Sequence, residues 1–399
     1  MSVTAAAGFE AAGIACGIKA DGSPDLALVA TADRRPVTAA GVFTTNLATA
    51  APVQVSREHL RDGRAAAVIL NSGNANAATG APGRRDAYRM CELTARELGC
   101  APEDVLVCST GLIGYPLPMD AIEAGVSKLV AALGSDEPAG QAAADAILTT
   151  DTVRKEALET IELGDGRVTR VGGMAKGAAM LSPAMATMLS VIATDLALEP
   201  AIAHDMLARA VSQSFNTLSI DGCTSTNDTV LFLASGVIET GAITVGCPIF
   251  DQATQALDNV STRLSELMAN DAEGKTKIAR VFVTGARTGD DADKAARAVA
   301  NSQLVQCSLN GGDPYWGRVL SELGASGASF DPEQVEIAYD GVVVCRNGIA
   351  AEHDVEVLME AMGRPRIMIQ CNLNAGSFGA WVTATDLSHA YIDENRRTS

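Results

Sequence analysis

The stretch "KGAAMLSPAMATMLS", residues 176–190, decides how the rest of the chain is read. It opens on Lys176 and carries three methionines, one proline and a single threonine, Thr187, between Ala186 and Met188. A lysine within an apolar run is costly to bury unless it finds a partner. A threonine in a buried strand commonly hydrogen-bonds a backbone carbonyl, and methionine-rich runs commonly fill cores. A second reading gives the hydroxyl work to do. If the chain is cut immediately before Thr187, the new α-amine can act as the base for that residue's own hydroxyl. An α-amino pKa of about 7.7–8.0 leaves a useful neutral fraction near neutrality.

Outward from this stretch the pattern mixes strands and helices without repeat or long linker. "LALVAT" (26–31) and "AAAVIL" (65–70) read as buried strands, the latter ending in a polar loop, "NSGNANAATG" (71–80). Helical spacing runs over 84–98, and a short strand at 105–107 leads into a turn at "CSTGLIG" (108–114). Helices are predicted near 119–133, 137–148, 199–215, 250–269 and 289–304, with a strand near 278–285. Asp340-Gly341 between β-rich runs is the strongest hairpin signal. The irregular alternation favours an α+β or layered sandwich fold over a strict βαβ array.

Composition narrows the function classes. A net charge of −18 disfavours nucleic acid and anionic membrane surfaces as partners. No run reaches 18 apolar residues, and no basic segment followed by an apolar one opens the chain, so a cytoplasmic protein is expected. Nine cysteines form no CxxC and no zinc-like spacing, so no metal is expected. Four histidines sit in no nucleophile-elbow or HExxH setting, and neither a Rossmann nor a P-loop glycine motif occurs.

"GMAKGAAMLSPAMATML" (173–189) resembles the signature of the ornithine acetyltransferase family, the bifunctional glutamate N-acetyltransferases of arginine biosynthesis. Eight further segments resemble the same family in order: 17–29, 40–46, 71–80, 108–114, "TTDT" at 149–152, "DGCTSTNDT" at 221–229, "NDAEGKTK" at 270–277 and "DLSHAYIDEN" at 386–395. The resemblance implies a layered αββα-like sandwich of the N-terminal-nucleophile type with a second, smaller α/β domain. It implies self-cleavage between Ala186 and Thr187, leaving an α chain of 1–186 and a β chain of 187–399 that pair further into an α2β2 assembly.

By the same resemblance Thr187 is the nucleophile and Thr110 with Gly111 the oxyanion hole. Thr149, Lys176, Thr187, Glu273, Asn395 and Ser399 match positions that hold the amino-acid substrate. The implied reaction moves an acetyl group from N2-acetylornithine to glutamate through an acetyl-threonine, with no cofactor; acetyl-CoA stays open as a second donor. A threonine-nucleophile amidohydrolase or aminopeptidase and a non-catalytic amino-acid-binding homologue stay open as alternatives. The sequence departs from the family pattern at Ala179, Tyr315, Cys371 and the tail "DENRRTS".

Overall fold

The computed structural model describes residues 3–180, 188–240 and 243–396. Ala186, Thr187 and Ser399 lie outside the described residues. The chain divides into two compact units. The first runs to Ala178 and takes in the segments that end at Asn216 and span Thr224–Met268; the second takes in Thr217–Cys223 and the chain from Ala269 on.

The first unit stacks two sheets. One has the order Phe9–Ile14, Leu26–Thr31, Ala67–Asn74, Val105–Leu112. Side chains alternate across a strand, so each strand serves two layers. Ala27, Val29, Val68, Leu70, Leu106 and Cys108 face the second sheet, where Met174, Val191, Ala193, Leu231 and Leu233 meet them. Leu26, Leu28, Ile69, Val105 and Val107 face the other way, onto helices Ala51–His59, Gly80–Leu98 and Met119–Ala131.

The second sheet has the order Arg64–Ala65, Val37–Phe43, Thr229–Ile238, Leu189–Leu196, Val168–Lys176, Lys155–Glu162. Its outer face carries helix Pro200–Gln213 against Val37–Phe43. Helix Pro248–Asn270 lies so close that a Cβ on Gly173 would meet Leu264 and Val260 at 3.2 and 3.3 Å. Four layers result, helix on sheet on sheet on helix, as the resemblance implies. Small side chains make this spacing possible: alanine and glycine occupy many positions where the layers touch.

The second unit is the smaller α/β body. Its seven-stranded sheet has the order Leu218–Ser219, Phe378–Thr385, Ile278–Ala286, Arg366–Asn372, Glu336–Tyr339, Val342–Arg346, Ile349–Ala350. Helices Gly289–Asn301, Gln303–Gly311, Trp316–Ala325 and Val355–Met362 contribute to its core. The hairpin forms at Asp340 and Gly341, with φ of 45° and 85°, as the dipeptide demands.

Three expectations need correction. The helix predicted over 289–304 is two helices, because Ser302 ends the first with extended backbone and caps the second, its hydroxyl accepting from Val305 N at 3.3 Å. The strand predicted at 105–107 continues to Leu112, and the loop predicted from residue 71 is strand to Asn74. Asn71, Ser72 and Gly73 pair with Ser109, Thr110 and Gly111. Two of the polar side chains find acceptors across the fold: Ser72 Oγ donates to Ala146 O at 2.7 Å, and Asn74 Nδ2 donates to Pro116 O at 2.9 Å.

Candidate active site

The paired strand ends at 71–74 and 109–112 build the first feature. The ladder slips into a bulge between Gly73 and Asn74, opposite Thr110 and Gly111. Gly111 takes a φ of 132°, and a Cβ there would lie 2.3 Å from the Gly73 carbonyl carbon. Only glycine fits. Thr110 is buried and its Oγ1 has no hydrogen-bond partner among the described residues; Ser109 Oγ and Asn71 Oδ1 are likewise buried and unpartnered there. Buried polar atoms are normally bonded, so two hydroxyls and an amide oxygen left without partners on two adjacent strand ends point to a place that a ligand completes. The residues expected to form an oxyanion hole therefore sit in strand, at a bulge, rather than in the predicted turn.

The second feature is a buried charge cluster. Lys176, at the end of strand Val168–Lys176, donates from Nζ to Thr149 Oγ1 at 2.6 Å and lies 3.6 Å from Asp151 Oδ2. Lys155 Nζ reaches Asp151 Oδ1 at 2.6 Å, and Gly177 N donates to the same oxygen at 2.6 Å. The side chains of Asp151 and Lys155 are wholly buried, and that of Lys176 is 3% exposed. Burial pushes the Asp151 carboxyl up, but Lys176, Lys155 and the Gly177 amide outweigh it and hold it well below the usual carboxylate range. Thr149 and Lys176, matched together from the sequence, are thus in contact. Of the three charged groups named, two are cations.

Two supports frame this cluster. Lys19 Nζ donates to Leu148 O at 2.7 Å, next to Thr149, and burial lowers its pKa. Asp25 accepts from the backbone amides of Cys16, Gly17, Ile18 and Lys19, which fixes the loop that carries Lys19. Burial disfavours the Asp25 anion, and those amides overcome it, lowering its pKa.

The second unit brings together the other expected pair. Asn395 Nδ2 donates to Glu273 Oε2 at 2.7 Å and to Tyr391 O at 2.9 Å. Glu273 is 7% exposed rather than a solvated helix end. Gly274 makes this possible: a Cβ there would meet Tyr391 N at 2.1 Å. Tyr391 OH in turn donates to Asp221 Oδ2 at 3.2 Å.

Among the departures, Ala179 does not take a positive φ; after Lys176 the positive values fall on Gly177, at 152°, and Met180, at 54°. Tyr315 is 55% exposed, with Arg318 over its ring, and Cys371 is a buried thiol in strand Arg366–Asn372, pushed up to about 12 by burial. Sequence reasoning missed Asp151, Lys155 and Asp228. Asp151 had a legible signal: a lysine buried at 176 requires a carboxylate, and "TTDT" offers one beside Thr149. Among the described residues, no cluster of His, Cys, Asp and Glu could hold a metal ion, and no helix is long and apolar enough to cross a membrane.

Comparison with known proteins gives a consistent result. The ArgJ family profile matches residues 10–398. The arginine biosynthesis bifunctional protein ArgJ of Streptomyces coelicolor is 46% identical over 396 residues, 99% of each chain. That of Symbiobacterium thermophilum is 43% identical over 393 residues, 98% of this chain and 97% of the relative. A solved structure of ornithine acetyltransferase complexed with ornithine, from Mycobacterium tuberculosis, is 48% identical over 46% of this chain and 94% of its own, with a TM-score of 0.43. Matched along nearly its whole length by the family profile and by both curated relatives, this chain belongs to the ArgJ family.

Proposed function

We propose that the chain is a self-cleaving acyltransferase that moves an acetyl group from N2-acetylornithine to glutamate in arginine biosynthesis. The observation that carries this reading is the buried, unpartnered Thr110 hydroxyl beside Gly111, an idle donor at a bulged strand end. A tetrahedral oxyanion would give that donor its partner. Family membership and the name of the ornithine-bound relative support the substrate class.

In this reading the chain is cut between Ala186 and Thr187 into segments 1–186 and 187–399, which pair as α2β2. Thr187 Oγ attacks the acetamide carbonyl and its own α-amine takes the hydroxyl proton. Thr110 and Gly111 stabilise the oxyanion. The C–N bond breaks, ornithine leaves with the proton, and the glutamate amine then attacks the acetyl ester and restores the free threonine. The Thr149–Lys176 pair receives the amino acid's carboxylate, and Glu273, held by Asn395, receives an ammonium. Ser399 and acetyl-CoA, as pocket residue and second donor, belong to the same proposal.

Intact mass tests it. The expected result is two chains split before Thr187, a covalent acetyl adduct on the second with N2-acetylornithine, and loss of both cutting and transfer in Thr187→Ala. A single, uncut, fully active chain would refute the mechanism. Release of ornithine without glutamate at the same rate would instead favour a hydrolase.

A further inference from the structure

Outside the groups already given a role, Asp228 is a buried carboxyl with no ion-pair partner among the described residues. Asp228 is fully buried at the start of strand Thr229–Ile238. That strand runs parallel to Leu189–Leu196, with Thr229 opposite Leu189, and Thr229 N donates to Met188 O at 3.1 Å. Asp228 is therefore level with Met188, and its Oδ1 accepts from Met188 N at 3.0 Å. Its backbone is fixed as well, since Thr44 N donates to Asp228 O at 3.0 Å. Oδ2 makes no hydrogen bond among the described residues. Burial pushes this acid well above the usual carboxylate range; the Met188 amide, the Ser225 hydroxyl and the field of Lys176 oppose that without overcoming it.

A buried carboxyl without a cation is expensive, and removing the cost takes either protonation or a positive partner. The amide that Oδ1 holds is the one formed with the Thr187 carbonyl. By covalent geometry, the nitrogen of residue 187 lies within about 4 Å of the Met188 nitrogen. In the intact chain that nitrogen is a neutral amide. After a cut before Thr187 it is an amine that can carry a proton, so the cut itself creates a cation beside the unpartnered carboxyl.

We infer that Asp228 is the positioning residue of the nucleophile: Oδ1 fixes the 187–188 peptide, and Oδ2 pairs with the α-ammonium of Thr187. The inference rests on the acyl-transfer reading above and adds to it the group that stabilises the protonated base. When the bond from Thr187 Oγ to the acyl carbon forms, the hydroxyl proton passes to the α-amine. The Asp228 carboxylate holds the resulting ammonium until the C–N bond breaks and the proton leaves on the ornithine nitrogen. Before cutting, the same carboxyl is neutral and costs little.

The test compares wild type with Asp228→Asn and Asp228→Ser in the full-length chain. Both variants are uncharged and both keep an acceptor for Met188 N, so a fold lost in one is covered by the other. The readout is the acidic limb of kcat/KM against pH, normalised to the fraction of cut chain by intact mass; that limb reports the base of the free enzyme. Loss of a carboxylate next to an ammonium is expected to move the limb down by at least about one pH unit. A limb that stays where the wild type has it overturns the assignment, because a merely structural residue would lower activity at every pH alike. A folded variant that remains uncut also overturns it, since the role of the charge begins after cutting. A wild-type chain that is itself uncut refutes the acyl-transfer reading, and Asp228 with it; a cut, active wild type with unmoved variant profiles refutes the Asp228 assignment alone.

Discussion

Replacing Asp151 by asparagine probes the buried charge cluster most directly. Asp151 neutralises two lysines whose side chains are 0% and 3% exposed. Asparagine keeps the shape and one acceptor oxygen, but turns an N–H toward Lys155 or Lys176. Both ammonium groups then lose their carboxylate in a place water does not reach. Breaking a buried pair by removing one partner costs about 3–5 kcal/mol. At about 2–4 °C per kcal/mol for a unit of this size, Tm should fall by roughly 6–20 °C. Differential scanning calorimetry at neutral pH measures it. The double variant Asp151→Asn, Lys155→Met removes one of the two cations that Asp151 neutralises and should recover a large part of the loss. A Tm within about 2 °C of wild type for the single variant, or a double variant no more stable than the single, would show that the lysines are not held by charge.

Two further outcomes follow from the geometry. Thr110→Val removes a hydroxyl with no partner among the described residues, so Tm should be unchanged or higher, while kcat falls by about 100- to 1000-fold, the usual effect of one oxyanion donor; a proportionate loss of stability would contradict the assignment. Asp151, Asp25 and Asp386 all have pKa values lowered in the fold, each against the penalty of burial. A lowered carboxylate stabilises above its unfolded pKa of about 3.9 and loses that contribution below it. Stability should therefore drop steeply below about pH 4, and acid titration of Tm in Asp25→Asn should show a shallower drop than wild type.

Much of the fold is legible from periodicity alone. The helix at 248–270 and the buried strand at 26–31 follow from spacing, and Asp340-Gly341 specifies its own turn. What escapes is whatever depends on partners far along the chain. "NSGN" reads as loop because its side chains are polar, yet it is strand because Ser72 and Asn74 find acceptors at Ala146 and Pro116. Ser302 hides a helix break inside a continuous apolar period, since one serine caps both ends. In the site, Thr149 and Lys176 are legible together, whereas Asp228 is visible only once the register sets it level with Met188.

The order of the six-stranded sheet has a consequence for the history of the molecule. Strands Leu189–Leu196 and Thr229–Ile238 lie between Val168–Lys176 on one side and Val37–Phe43 on the other. A cut before Thr187 would place the inner two strands on one polypeptide and their outer neighbours on the other. The sheet would then be stitched from two molecules along two seams, made once from a single chain and never remade the same way. Folding of the precursor is a first-order event; reassembly of the cut protein after denaturation would be second-order, slow when dilute and dependent on concentration. The mature enzyme would thus owe its form to an ancestor that no longer exists in the solution, and heating past the transition would show hysteresis that the uncut Thr187→Ala chain lacks.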